Sequence, residues 1–153
     1  MNQTLTALDI FGKPHTALSS NFKLRISAYG VLVENGNILL QQNPVNKKYN
    51  LPGGAIEIGE SERDAVSREF LEETGYSVKA TEVIDTDFQL FTLNNIFFHN
   101  IILFYKVVRT SDSILPINCP ENDSSDAKFF NINTLDYDTI QPIYYKILKS
   151  LCH

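Results

Sequence analysis

One short stretch near the middle of the chain leaves the backbone little choice. Leu51-Pro52-Gly53-Gly54 is a breaker cluster that cannot lie inside a helix, and Gly75 is a natural stop in the left-handed position just past a helix end. Between them Ser61 is a good N-cap, its hydroxyl placed to accept from the Asp64 N–H. Glu62 and Asp64 suit the positive end of the helix dipole. The pattern predicts a helix over about 61–74, entered from a tight glycine loop and closed by another glycine. The rest of the fold must be arranged around that unit.

The flanking sequence reads mostly as strand. Arg25 to Val33 is one candidate and Asn37 to Gln42 its expected partner, with Asn35-Gly36 between them suited to a tight hairpin turn. Val78 to Phe91 and Ile96 to Arg109 are rich in β-branched and aromatic residues and flank Leu93-Asn94-Asn95, so they read as long strands joined by a turn. Residues 111–126 are polar and proline-bearing and read as a loop, Lys128 to Ile132 as a short strand. Pro142 can open a final helix, with Ile143, Ile147, Leu148 and Leu151 on one face. Strands outnumber the helices scattered among them, which suggests an α/β or α+β sandwich on a mixed sheet. At 153 residues the expectation is a single domain over 1–153, with 1–22 as an N-terminal extension packed on it.

Charge and hydropathy narrow the function. No run approaches the ~18 apolar residues of a membrane span; the greasiest stretch, Ile96 to Val108, is broken by His99, Asn100 and Lys106. No secretion signal is legible at the N-terminus, and Cys119 and Cys152 fit no metal spacing, so a cytoplasmic protein with reduced thiols is expected. A net charge of −5 argues against nucleic acid as partner, since such binding works through Lys and Arg. An acidic protein that handles phosphates must find positive charge elsewhere, and a bound divalent metal is the usual source.

The helix has an unusual polar face. Glu69, Glu72 and Glu73 stand at i, i+3 and i+4 and share one side, while Val66, Phe70 and Leu71 are available to pack on a sheet. Like charges at this spacing cost a few tenths of a kcal/mol per pair, roughly. Taken alone the face reads either as solvated acid or as a site for a hard cation such as Mg²⁺ or Mn²⁺.

The surroundings add to that choice. From Gly54 the chain reads glycine, five residues, Glu60, seven residues, Arg68-Glu69, bulky Phe70, one residue, Glu72-Glu73, one residue, Gly75 and bulky Tyr76. This resembles the signature of the Nudix hydrolase family, G-x5-E-x7-R-E-U-x-E-E-x-G-U, with all seven fixed residues matched. A chance match at a given start is about one in 10⁸. The likeness extends over most of 24–135, including Leu51-Pro52 before the signature. Two departures are the aromatic Phe70 and Tyr76 at bulky positions, and the absence of tryptophan from the late strand, where Phe129 stands in.

The resemblance implies a fold, a reaction and a site. The fold is an α/β/α sandwich with a mixed β-sheet between helices. The activity is metal-dependent hydrolysis of a pyrophosphate bond in a nucleoside diphosphate linked to another group, a small-molecule substrate. Glu69, Glu72 and Glu73, helped by the Gly54 carbonyl, would hold one to three Mg²⁺ or Mn²⁺ ions. Gly53 would let the backbone approach the diphosphate, and Arg68 paired with Glu60 would orient the loop. The general base is Glu69 or Glu73, or an acid of the later loop: among Glu121, Asp123 and Asp126, the count back from Phe129 favours Asp123 or Asp126. Arg25, Lys47 and Lys48 are candidates for substrate phosphates, and Tyr49, Phe88, Phe91, Phe97 and Phe98 for base stacking. No subgroup pattern is present: no proline lies between Pro52 and Pro116, and Asn94 falls where dinucleoside polyphosphate enzymes carry tyrosine. The competing reading is a nucleotide-sensing module without turnover. Many relatives dimerise, which leaves a homodimer open.

Overall fold

The computed structural model describes residues 2–115 and 127–152. Its signature helix, α1 (Glu62–Thr74), has the ends that local chemistry dictates. The Ser61 hydroxyl accepts from the Asp64 N–H at 3.1 Å, and Gly75, at φ 76°, donates its N–H to the Leu71 carbonyl at 2.9 Å. A Cβ on Gly75 would lie 2.1 Å from the Leu115 carbonyl oxygen, so close approach as well as φ requires glycine here.

The described residues also form ten strands: β1 (Thr4–Leu8), β2 (Pro14–Leu18), β3 (Phe22–Val31), β4 (Val33–Glu34), β5 (Asn37–Gln42), β6 (Tyr49–Asn50), β7 (Gly53–Ala55), β8 (Tyr76–Leu93), β9 (Ile96–Ile114) and β10 (Lys128–Asn131). Six of them make a mixed sheet in the order β2-β1-β8-β9-β3-β7. Its spine is the β8–β9 hairpin, closed by Asn94 and Asn95 at φ 51° and 61°, conformations that asparagine tolerates better than most residues. β3 runs parallel to β9 from Phe22↔Phe97 to Val31↔Lys106. Residues 4–18 form a hairpin whose first strand meets β8 at Leu8↔Phe91, so the N-terminal segment extends the sheet edge. A smaller sheet centres on β5, which pairs with β4, β10 and β6.

The expected pairing of 25–33 with 37–42 is corrected. Both hydrogen-bonding edges of β3 are taken, by β9 and β7, so β5 has no edge to join. The strand is interrupted at Leu32, and the expected pairing holds only at its end: the Leu32 carbonyl accepts from the Leu39 N–H at 3.1 Å, and Val33-Glu34 pairs with Ile38 and Asn37 across the Asn35-Gly36 turn at φ 51° and 73°.

Period-two alternation sends the strands' side chains to two cores. Ala28, Leu32, Leu39, Tyr105 and Val107 meet Val66 and Phe70 of α1 on one face. Val31, Ile38, Leu40, Ile102 and Phe104 meet Tyr144, Ile147 and Leu148 on the other. The second helix, α2 (Tyr145–Ser150), begins three residues after Pro142, which opens a 3₁₀ turn instead. Helices therefore cover both faces of a mixed sheet, the α/β/α layering expected. Leu71 differs from expectation: it is 38% exposed and packs in neither core. Among the described residues, no helix is long and apolar enough to cross a membrane.

Candidate active site

Strand β7 carries the two glycines onto the sheet beside α1, pairing Tyr29↔Gly53, Ala28↔Gly54 and Ser27↔Ala55. At Gly53 a Cβ would lie 2.3 Å from the Ala28 carbonyl oxygen, and at Gly54 it would lie 2.9 Å from Glu69 Oε1. The lack of side chains thus lets the loop close on the glutamate face. Gly53 donates its N–H to Glu73 Oε2 at 2.9 Å, and Gln41 Nε2 donates to the same oxygen at 2.6 Å. Burial nevertheless raises the Glu73 carboxyl to about 8, with the charge of Glu69 adding to the rise and the two hydrogen bonds opposing it. Glu69 is also raised, by burial first, and Arg68 partly offsets this through a 3.0 Å contact.

Arg68 ties the loop to the helix. Its Nε and Nη2 grip Glu60 Oε1 and Oε2 at 2.7 and 3.0 Å, a fork-on-carboxylate geometry, and Nη2 also reaches the Ala55 carbonyl at 3.4 Å. The Glu57 N–H donates to Glu60 Oε2 at 3.1 Å. Hydrogen bonding from Arg68, then from Glu57, holds Glu60 down to about 2, and Glu60 in turn holds Arg68 above its ordinary value.

The three glutamates do not gather equally. Glu69 and Glu73 lie against the glycine loop; Glu72, 57% exposed, turns to solvent with Arg68 Nη1 3.3 Å away. Among the described residues, no three His, Cys, Asp or Glu side chains stand close enough together to enclose an ion. The donor chemistry still fits a hard divalent cation. Carboxylate oxygens are its preferred ligands, and two like-charged carboxyls pushed upward by burial call for positive charge.

Two adjoining hollows complete the site and share Tyr29 and Asn43. The larger, about 270 Å³, runs from the turn after β1 past Arg25, Phe91 and Asn100 to Pro142. Arg25 lies 5.5 Å from the Phe91 ring centre and 5.9 Å from that of Phe98, and the two rings stack at 5.0 Å. Its Nε donates to Ser27 Oγ at 3.2 Å, which donates to Asn100 Oδ1 at 2.8 Å. The smaller hollow, about 200 Å³, holds Glu73 and Gly53 with Gln41, Asn50, Tyr29 and Tyr144.

Other candidates fall elsewhere. Lys48 donates to the Asp138 carbonyl, and neither it nor Lys47 lines either hollow. Phe88 pairs with His99, Phe97 with Phe22 and Tyr49 with Phe130, while Phe129 meets Tyr76 edge-on. Glu121, Asp123 and Asp126 lie outside the described residues. Sequence reasoning missed Gln41 and Asn50. The available signal was a glutamine closing the otherwise apolar Ile38-Leu39-Leu40 run; it is 6% exposed, hence built in.

Comparison with known proteins agrees with this layout. A family model described as NUDIX domain matches residues 23–151. A "MutT-like protein" of Streptomyces ambofaciens is 39% identical over 59 residues, 38% of this chain and 38% of that protein. A "Probable DHNTP pyrophosphohydrolase" of Lactococcus lactis subsp. cremoris is 35% identical over 69 residues, 40% of this chain and 42% of that protein. The matched stretch thus spans about two fifths of either curated relative. Among solved structures, the MutT NUDIX hydrolase of Burkholderia pseudomallei is similar in fold at TM-score 0.66 and 19% identity, over 83% of this chain and 97% of that one.

Proposed function

The chain belongs to the NUDIX family, and on that premise we propose that it hydrolyses the pyrophosphate bond of a nucleoside diphosphate linked to another group, using Mg²⁺ or Mn²⁺. The observation that carries this reading is the meeting of two signature glutamates with the glycine loop: Glu73 under the Gly53 N–H and Glu69 against Gly54. Glu69, Glu72, Glu73 and the Gly54 carbonyl are the groups that would hold the metal. When bound, the ions neutralise the diphosphate and lower the pKa of an attacking water.

The remaining work falls to the chain's own residues. Gly53 and Gly54 admit the diphosphate close to the backbone. Arg68, fixed by Glu60, keeps the loop at its distance from the helix. Arg25, walled by Phe91 and Phe98, offers a cation in the larger hollow to the substrate's phosphate. Glu69 or Glu73 takes the proton of the water that attacks phosphorus in line, with Asp123 or Asp126 as the alternative acid. The new oxygen–phosphorus bond forms as the bridging one breaks, leaving a nucleoside monophosphate or similar group and a phosphorylated remainder.

The test is turnover by Glu73→Gln in Mg²⁺, across nucleotides, nucleotide sugars, dinucleoside polyphosphates, ADP-ribose and, given the name of the Lactococcus relative, DHNTP. Activity should collapse by roughly 10²–10⁴-fold with circular dichroism unchanged. Wild-type turnover in that variant removes Glu73 from the site. Tight nucleotide binding with Mg²⁺ and no product in the wild type makes the chain a sensing module.

A further inference from the structure

Helix α1 covers only part of the sheet face it packs on. Its 13 residues span about 20 Å, whereas β8 and β9 run for 18 and 19 residues, about 60 Å. Two further rows of side chains cross β3, β9 and β8: Ile26–Ile101–Phe88 and Leu24–His99–Leu90. Period-two alternation from Ala28 and Leu103, which pack in the core under α1, puts both rows on the same face. Leu24 is 70% exposed and Phe88 57%, and Ile26 and Ile101 are exposed as well. Neither row holds an Asp, Glu, Lys or Arg; Lys23, Arg25 and Asp87 alternate onto the other face. Where this half of the sheet meets the signature loop, Leu24, Ile26, Ile56 and Phe98 border an open hollow of about 480 Å³. Ile58 stands fully exposed at its rim, and Arg25 and Glu57, of opposite sign, also border it.

We propose that this bare half of the sheet face, together with Ile58, is the contact surface of a two-fold homodimer. Leu24, Ile26, Ile58, Phe88, Ile101 and the half-buried side chains between them expose roughly 600–700 Å² of apolar surface. That is at the upper limit of what a monomer leaves open, and close to the ~800 Å² that one partner brings to a standard interface. The chemistry favours a second copy over a different protein. A foreign partner of a chain with net charge −5 is steered by charge, and these rows offer none. Near a two-fold axis a charged residue meets its own like, so a charge-free patch is the kind that tolerates self-contact. An isologous surface must also fit itself, and the Ile58 knob beside an apolar hollow lets each copy fill the other's hollow. The second copy would then rest on the signature loop, between Ala55, whose carbonyl accepts from Arg68, and Glu60. Assembly is independent of the hydrolase reading: a dimer without turnover supports the first and refutes the second.

The test is analytical ultracentrifugation of the 153-residue chain from about 1 to 100 µM, without nucleotide or metal. The expected mass is twice the 17.3 kDa of one chain, with a dissociation constant in the micromolar range or below. Leu24→Asp and Phe88→Glu each place a charge in the contact twice over, and each should weaken association at least about a hundredfold. Both side chains are exposed in the single chain, so circular dichroism should not change. Ile58→Asp, fully exposed and on a loop, repeats the test without touching the sheet. Phe11→Glu, at an exposed aromatic in the turn between β1 and β2, should leave the dimer intact. A chain that stays monomeric at about 100 µM overturns the proposal. If that monomer floats with phosphatidylcholine vesicles, the face belongs to a membrane instead. A dimer that survives all three face substitutions, or that is lost in Phe11→Glu alone, is built on another surface and overturns it too.

Discussion

Glu73→Gln should stabilise the metal-free protein at pH 8 while destroying the site that defines it. The native carboxyl sits at about 8 against an ordinary 4.5, chiefly because burial disfavours its charge. Between those values the native state keeps a proton that the unfolded chain has released, so stability falls as pH rises through the window. At about 1.4 kcal/mol per pKa unit, a rise of that size sets a ceiling of about 5 kcal/mol. Relaxation and water reaching this partly buried side chain bring the expected loss to about 1–3 kcal/mol. Glutamine has the same shape, still accepts from the Gly53 N–H, and carries no charge to desolvate. Urea unfolding in EDTA at pH 5 and pH 8.5 measures the effect. The wild type should lose about 1–3 kcal/mol relative to the variant between the two pH values, and saturating Mg²⁺ should restore the wild type alone. Parallel pH profiles for the two proteins would refute the reasoning, because they would mean that Glu73 bears no burial penalty.

Other perturbations separate structure from chemistry. Gly54→Ala pushes a Cβ to 2.9 Å from Glu69 Oε1, the end of a flexible side chain, so folding should survive while Mg²⁺ affinity by calorimetry drops roughly tenfold. Gly53→Ala meets backbone instead, at 2.3 Å from the Ala28 oxygen, and should cost about 2–4 kcal/mol in chemical denaturation. Phe70→Ala empties the core under the sheet, where Phe70 is 0% exposed, and should cost about 3–5 kcal/mol by the same measurement. Glu60→Gln should lower the thermal midpoint at pH 6. Because the native carboxyl is depressed to about 2, its stabilising effect is complete above its ordinary value and lost as pH falls towards 2, so the midpoints should converge on acidification.

The parts legible in the sequence are those decided within a few residues. Ser61 and Gly75 mark the helix because a cap needs only its own neighbours, and Asn94-Asn95 marks the hairpin for the same reason. Strand partnership was less legible. Whether β5 can join β3 depends on β7 and β9 already occupying β3's edges, and β9 comes some sixty residues later in the chain. The site divides along the same line. The spacing from Gly54 to Gly75 announced the glutamates, and the structure brings Glu69 and Glu73 to the glycine loop. Helical spacing puts Arg68 within i, i+4 reach of Glu72, but it could not show that Glu72 would stay 57% exposed, or that Leu71 would stay outside the cores. Gln41 was hidden because its role arises only when a strand from one sheet is laid against a helix residue 32 positions away.

The central claim is that this glycine-and-glutamate cradle directs water onto a pyrophosphate phosphorus. Hydrolysis in ¹⁸O-water with Mg²⁺, followed by mass spectrometry of both products, tests it most directly. The account predicts one ¹⁸O on a single phosphorus of a cleaved P–O–P bridge, dependent on the metal and lost in Glu73→Gln. Label on a carbon–oxygen bond, or label that persists in EDTA or in Glu73→Gln, would contradict it.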